Sequence, residues 1–166
     1  MIIGHGTIAH ALTDRSDRTY FASGVSNSRE TDERAYDRER NLLINQSEAR
    51  RLVYFSSLAV FYEDTRYTKH KLEMEALVKK FPKYTIIRLG LAAWGTNPNT
   101  LINIVKGQVA RGEPYSVWPV FRYVLEEAEF QHWVNLIPEW NCEMNLTGQR
   151  MSAKAIIDKY VLGGCP

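Results

Sequence analysis

Three short segments rich in β-branched and aromatic residues dominate the sequence: TYFAS at 19–23, RLVYFSS at 51–57 and YTIIRLG at 84–90. Each runs into small residues, and stretches long enough for a helix separate them. Val, Ile, Tyr, Phe and Thr favour strands, and a Gly or Ser at the end of the run marks where the chain leaves the sheet. A shorter apolar run, MII, stops at Gly4 and Gly6 in the same way. Strands alternating with helices pair in parallel through right-handed crossovers, so the pattern predicts an α/β, doubly wound, mainly parallel sheet. In that architecture ligands sit beyond the carboxyl ends of the strands. Each cluster of small residues falls at such an end: Gly4 to Gly6, Ser23-Gly24, Ser56-Ser57 and Gly90-Leu91.

The connecting segments read as helices. TIAHAL begins one directly after the glycines. Asn27 followed by Glu30 has the spacing of a capping box, which opens a polar helix running toward Arg51. The charges in RETDERAYDRER are interleaved, as on a solvated helix face. A further helix is predicted from about Arg66 to Lys80, with Leu72, Ala76 and Leu77 as its apolar face. PNTLINIVKGQVARG is helical and closes at Gly112; EEAEFQHWVNLI and SAKAIIDKYVL follow, separated by a short EMNLTG.

Composition narrows the classes. A chain of 166 residues is one domain by length, with enough apolar content (45%) to bury a core. A net charge of +2 with no concentrated basic face argues against nucleic acid as a partner. Cys142 and Cys165 fit no CxxC spacing and are expected as free thiols in a reducing compartment. His5, His10, His70 and His132 form no ligand pattern, so no metal is expected. MIIGHGTIAHAL lacks the charged and long apolar regions of a signal peptide, and no run reaches membrane-spanning length. The expectation is a cytoplasmic protein without a membrane partner.

Two groups of residues carry chemistry. GHGTIA is a GxGxxA turn after a strand, where glycines admit a pyrophosphate to the backbone and helix amides meet it; a simple tight turn is the plainer reading. In YTKHK, Tyr67 and Lys71 stand four apart on one helix face, and an ammonium so placed lowers the pKa of a phenol. Ser57, at a strand end ten residues before Tyr67, completes a proton-transfer set: Tyr67 as acid or base, Ser57 positioning a substrate oxygen. The plainer readings are a serine bonding its own backbone and an exposed helix pair.

The order GxGxxA, FASGV, VYFSSLAVFY, YTKHKLEMEALV, YTIIRLG resembles the extended short-chain dehydrogenase/reductase family, the NAD-dependent sugar-nucleotide epimerases and dehydratases. The resemblance spans nearly the whole chain. It implies a truncated Rossmann-like domain over 1–166, with a small substrate-side region from about 91 onward. It implies NAD or NADP held by Gly4, Gly6, Thr7, Ile8, Ala22, Ser23, Gly24, Ser56 and Leu91, with Tyr67 and Lys71 at the nicotinamide ribose. It also implies catalysis by Ser57, Tyr67 and Lys71, a nucleotide-sugar-like substrate met by Arg122, and a homodimer.

Departures from the family pattern matter as much. HALTDRSDRTY, about a dozen residues, stands where the family has two strand-helix units. The usual second and third strands are therefore missing, and with them the acidic residue that grips the adenosine ribose. Loss of a charge-assisted hydrogen bond weakens binding by roughly 1.5–3 kcal/mol. The first strand becomes a sheet edge, which proteins tend to pair or cover; the dimer is expected through that edge or through the helices carrying RETDERAYDRERNLL and YTKHKLEMEALV. Leu58 and Ala59 occupy the positions where dehydratases of the family carry an Asp-Glu pair, which leaves epimerisation or oxidoreduction. The alternative is a catalytically inactive nucleotide-binding or protein-interaction module on the same fold.

Overall fold

The β-rich segments form the centre of one parallel sheet. In the computed structural model, which describes residues 1–163, five strands lie side by side: β1 (Ile2–Ile3), β2 (Arg18–Phe21), β3 (Arg51–Ser57), β4 (Tyr84–Leu89) and β7 (Cys142–Leu146). All neighbours are parallel, with Ile3 opposite Phe21, Phe21 opposite Tyr54, and Ser57 opposite Leu89. β1 is an edge, as the missing strand-helix units require.

Side chains along the strands alternate between two cores, as a period of two demands. Val53 and Phe55 join Tyr20, Ile87, Leu89 and Phe130 on one face; Leu52 and Tyr54 join Phe21, Ile86 and Met74 on the other. Phe21, Tyr54 and Met74 show no more than 0% exposure, and each buried side chain of this size contributes about 1.5–3 kcal/mol. Helices α2 (Glu33–Ile44) and α3 (Arg66–Val78) cover the second face, with Leu43, Met74 and Val78 in its core. α1 (Thr7–His10) and α5 (Glu127–Asn135) lie against the first, through Ala11, Phe130 and Val134.

A second, three-stranded sheet is built from β5 (Leu91–Ala92), β6 (Phe121–Leu125) and β8 (Gln149–Ser152), with β6 and β8 antiparallel. With α4 (Leu101–Ala110) and α6 (Ala153–Tyr160) it encloses a small core around Ile102, Val124, Met151 and Ile156. This sheet has no counterpart in the sequence expectations.

Three helix expectations need correction. α2 begins at Glu33, capped by Asp32 whose side chain accepts from the Arg34 amide; Asn27 instead makes a local turn with the Arg29 amide at 3.0 Å. It ends at Ile44, because Arg51 already belongs to β3. α1 is a single turn of four residues, since the short link must also carry the chain back to β2 alongside β1. α3 buries a different face from the one expected: of the three expected apolar residues only Leu77 packs, half-buried, against the core. Leu72 is 48% exposed and Ala76 is exposed, whereas His70, Lys71, Met74 and Glu75 are buried. The helix packs its polar stripe inward because buried charges from α2 and β4 meet it there, as described below.

Cys142 is a free, half-buried thiol, and Cys165 lies outside the described residues. Among the described residues no helix is long and apolar enough to cross a membrane, and no group of three or more His, Cys, Asp or Glu is placed to hold a metal ion.

Candidate functional site

A cleft of 1630 Å³ opens along the carboxyl ends of the parallel strands. Each strand from β1 to β4 supplies a wall: Gly6 and Thr7, then Ala22 to Gly24, then Phe55 to Ser57, then Leu89 to Leu91. Ile8, Tyr67, Lys71 and Arg122 also line it. All the predicted site residues except Gly4 therefore meet in one cavity.

The two glycines of GHGTIA do different things. Gly4 has φ +120°, and a Cβ there would fall 2.3 Å from the carbonyl oxygen of Ala22. It lets β1 turn away tightly against the end of β2, beside the cleft wall. Gly6 has an ordinary φ of −87° and open space where its Cβ would be, inside the cleft. That open cradle is what a close-lying phosphate group requires of a backbone. The one-turn α1 offers it first-turn amides but little macrodipole, which builds up over longer helices.

At the end of β3, the alternation sends Ser56 and Ser57 to opposite faces. Ser56 Oγ donates to Glu75 Oε1 at 2.7 Å, and Glu75 in turn is bound by the Arg88 guanidinium. Arg88 also pairs with Glu143 at 2.6 Å, so Ser56 is locked into a buried charged network under α3. Ser57 Oγ accepts from the Ala59 amide at 3.2 Å and caps the 3-10 turn Leu58–Phe61. Ser57 lines the cleft, and among the described residues its hydroxyl donates to no partner.

Tyr67 and Lys71 project from one face of α3, which is started by a Thr65–Thr68 capping box. Tyr67 packs with Val25 and Tyr36, and the Lys71 ammonium lies 5.6 Å from the centre of its ring. The hydrogen bonds of Lys71 go elsewhere: to Glu39 Oε1 at 2.9 Å and to the Tyr54 hydroxyl at 3.2 Å. Glu39 shows 0% exposure. It also accepts from Tyr54 at 2.7 Å, from the Val25 amide at 2.7 Å, and lies 3.1 Å from His70 Nε2. Burial alone pushes the Glu39 carboxyl up. The Lys71 charge and the bonds from His70, Val25 and Tyr54 outweigh it, holding the group well below the usual carboxylate range. Burial and the adjacent Glu39 charge push the Tyr54 phenol well up, so Tyr54 stays a neutral donor.

Sequence reasoning missed Glu39, Tyr54 and His70. The one available signal was the stripe Tyr36, Glu39, Leu43, whose spacing puts Glu39 on the buried side of α2. Arg122 donates to Glu63 Oε1 at 3.3 Å, and Leu91 pairs with Val124. Arg38 donates to Ser23 Oγ at 3.1 Å and to the Ser23 carbonyl at 3.0 Å, and Arg29 and Arg38 also line the cleft.

Fold and cleft together define a truncated Rossmann-like α/β domain with an open cleft at the strand ends. No protein-family model matches the chain, and no curated protein matches it. Among solved structures it is similar to the Bordetella bronchiseptica enzyme WbmG in complex with NAD and UDP, with a TM-score of 0.65 and 14% identity over 87% of this chain and 56% of that one. The Bordetella bronchiseptica enzyme WbmH in complex with NAD+ gives 0.68 and 12%, over 90% and 60%. The dTDP-4-dehydrorhamnose reductase of Bacillus anthracis in complex with NADP gives 0.66 and 18%, over 86% and 62%. At these identities the likeness shows the fold alone, a Rossmann-like α/β domain. The chain spans less than two thirds of the length of each of these enzymes.

Proposed function

We propose that the cleft binds NAD or NADP and that the protein is an epimerase or oxidoreductase acting on a hydroxyl of a nucleotide sugar or similar substrate. The observation that carries this reading is the convergence of Ser57, Tyr67 and Lys71 with the open Gly6 cradle in one cleft at the strand ends. Structurally similar enzymes in complex with NAD, NADP or UDP support it. When bound, the nicotinamide supplies the hydride acceptor.

The chain's own residues do the rest. Gly6, Thr7 and Ile8 present backbone to the pyrophosphate, and Ala22, Ser23, Gly24, Ser56 and Leu91 wall the rest of the nucleotide. Gly4 acts indirectly, by setting the turn. Ser57 orients the substrate hydroxyl, Tyr67 takes or returns its proton, and Lys71 holds the ribose. Arg122 meets the substrate phosphate from β6, within a substrate side that begins near residue 91. Leu58 and Ala59, both buried, carry no proton-transfer group, which favours epimerisation or oxidoreduction over dehydration.

A second reading, a catalytically inactive nucleotide-binding or interaction module, draws on two observations: α1 is a single turn, and the Lys71 charge is already answered by Glu39. Absorbance at 340 nm for net oxidoreduction, and chromatographic analysis of the sugars for redox-neutral epimerisation, with NAD+ or NADP+ and a panel of UDP- and dTDP-sugars, separate the two. The enzyme reading expects turnover that Tyr67→Phe abolishes while nucleotide binding survives. Nucleotide binding without turnover on any sugar, unchanged by Tyr67→Phe, favours the second.

A further inference from the structure

The Glu39 cluster is unaccounted for by the expected set of catalytic groups. Four donors converge on one fully buried carboxylate: the Val25 amide, Tyr54, His70 and Lys71. They come from the loop after β2, from β3 and from α3, so Glu39 ties α2 to three other elements beside the cleft. The fit is tight. A Cβ on Gly24 would lie 2.7 Å from Lys71 Nζ and 2.8 Å from Glu39 Oε1, so any other residue there would push the pair out of its present geometry.

The consequence for Lys71 follows from counting its donors. An ammonium has three N–H groups. Lys71 gives one to Glu39 and one to Tyr54, and its charge is balanced 2.9 Å away. One donor remains on a side chain that lines the cleft but is only 2% exposed. A free ammonium would attract a phosphate; a neutralised one with a single directed N–H suits a neutral hydroxyl.

We propose that Glu39 is a positioning residue: its carboxylate fixes and neutralises the Lys71 ammonium, so that Lys71 offers one oriented hydrogen bond to a hydroxyl of the bound dinucleotide. The inference rests on the nucleotide-binding reading of the cleft and adds to it the residue that sets the geometry of Lys71. Tyr54 supports the same arrangement from β3, and His70 closes the far side of the carboxylate.

The test is a fluorescence titration with NADH and NADPH, using energy transfer from tryptophan, since Trp94 lines the cleft. Five proteins are compared: wild type, Glu39→Asp, Glu39→Gln, Lys71→Met and Glu39→Gln/Lys71→Met, the last three closing a double-mutant cycle with wild type. Asp keeps the charge but withdraws it from Lys71 by one methylene, and the double variant leaves no lone buried charge, so both are expected to fold. Glu39→Asp, Glu39→Gln and Lys71→Met each raise the Kd about tenfold, the equivalent of one charge-assisted hydrogen bond. The double variant matches Lys71→Met within about twofold, because a residue that acts only through Lys71 has nothing left to position. Wild-type affinity in Glu39→Asp, or a double variant whose losses multiply to about a hundredfold, overturns the role of Glu39 while leaving the cleft reading intact. A wild-type protein that binds neither nucleotide removes that reading and this inference together.

Discussion

The motif GHGTIA holds two glycines whose substitution should separate folding from binding. In Gly4→Ala the new methyl group meets the Ala22 carbonyl oxygen at 2.3 Å, well inside van der Waals contact, and the backbone stays at φ +120°. Turning the carbonyl aside does not relieve the clash: the Ala22 carbonyl carbon at 2.6 Å and the Ser23 nitrogen at 3.0 Å also crowd the new methyl group. The backbone after β2 would have to move as a unit, next to the Ala22 amide that is bonded to the Ile3 carbonyl at 2.8 Å. Backbone strain of this kind costs about 1–3 kcal/mol. With the displaced strand end added, the loss is about 2–4 kcal/mol. At roughly 2–4 °C per kcal/mol for a domain of this size, the Tm falls by about 4–16 °C. Gly6→Ala meets nothing within 4 Å and keeps an allowed φ of −87°, so its Tm should stay within about 1–2 °C of wild type. Its methyl group instead occupies the cradle in the cleft and weakens dinucleotide binding about tenfold. Thermal unfolding followed by circular dichroism and a binding titration on each variant read both quantities. Equal destabilisation by the two substitutions, or a Gly4→Ala protein as stable as wild type, would refute the division of labour.

Other parts of the structure make equally direct predictions. Arg88→Met strips the buried Glu75 of its cation, which should cost about 3–5 kcal/mol in urea unfolding. The Glu39 carboxyl is depressed in the folded state, so its contribution to stability is complete above the ordinary carboxylate value of 4.5 and is lost as the pH falls through its lower folded value. The urea midpoint should therefore drop between pH 5 and acid more steeply for wild type than for Glu39→Gln/Lys71→Met. If the protein is a dimer through α2 and α3, the exposed stripe of Leu72 and Ala76 is its contact; sedimentation should then show a dimer at micromolar concentration and a monomer for Leu72→Glu. A monomeric wild type, or a dimeric Leu72→Glu, rules that interface out.

How much of this was legible in the sequence depends on what each residue packs against. The predicted strand at 51–57 coincides with β3, because a buried parallel strand carries a continuous apolar run, here Leu52 to Phe55, that ends abruptly at Ser56-Ser57. The placement of the glycine turn, Ser23-Gly24 and Ser56-Ser57 at one end of the sheet also followed from the strand pattern, whereas Tyr67 and Lys71 joined them only through the family resemblance. The buried face of α3 did not. Its apolar residues Leu72 and Ala76 point outward, while His70, Lys71 and Glu75 turn inward to partners on α2 and β4 that are far away in sequence. Glu39 was hidden for the same reason, inside a charged run that is otherwise solvated. The second sheet was missed because β5 has two residues, and β6 carries Phe121, Arg122 and Tyr123 on exposed or half-exposed positions.

The central claim is that the cleft at the strand ends holds a nicotinamide dinucleotide despite the missing strand-helix units. Calorimetric titration of the purified protein with NAD+, NADH, NADP+ and NADPH tests it most directly. Micromolar binding of at least one of the four, weakened by Lys71→Ala, is the expected result. No detectable binding of any of them would contradict the claim, and the cleft would then need a different ligand.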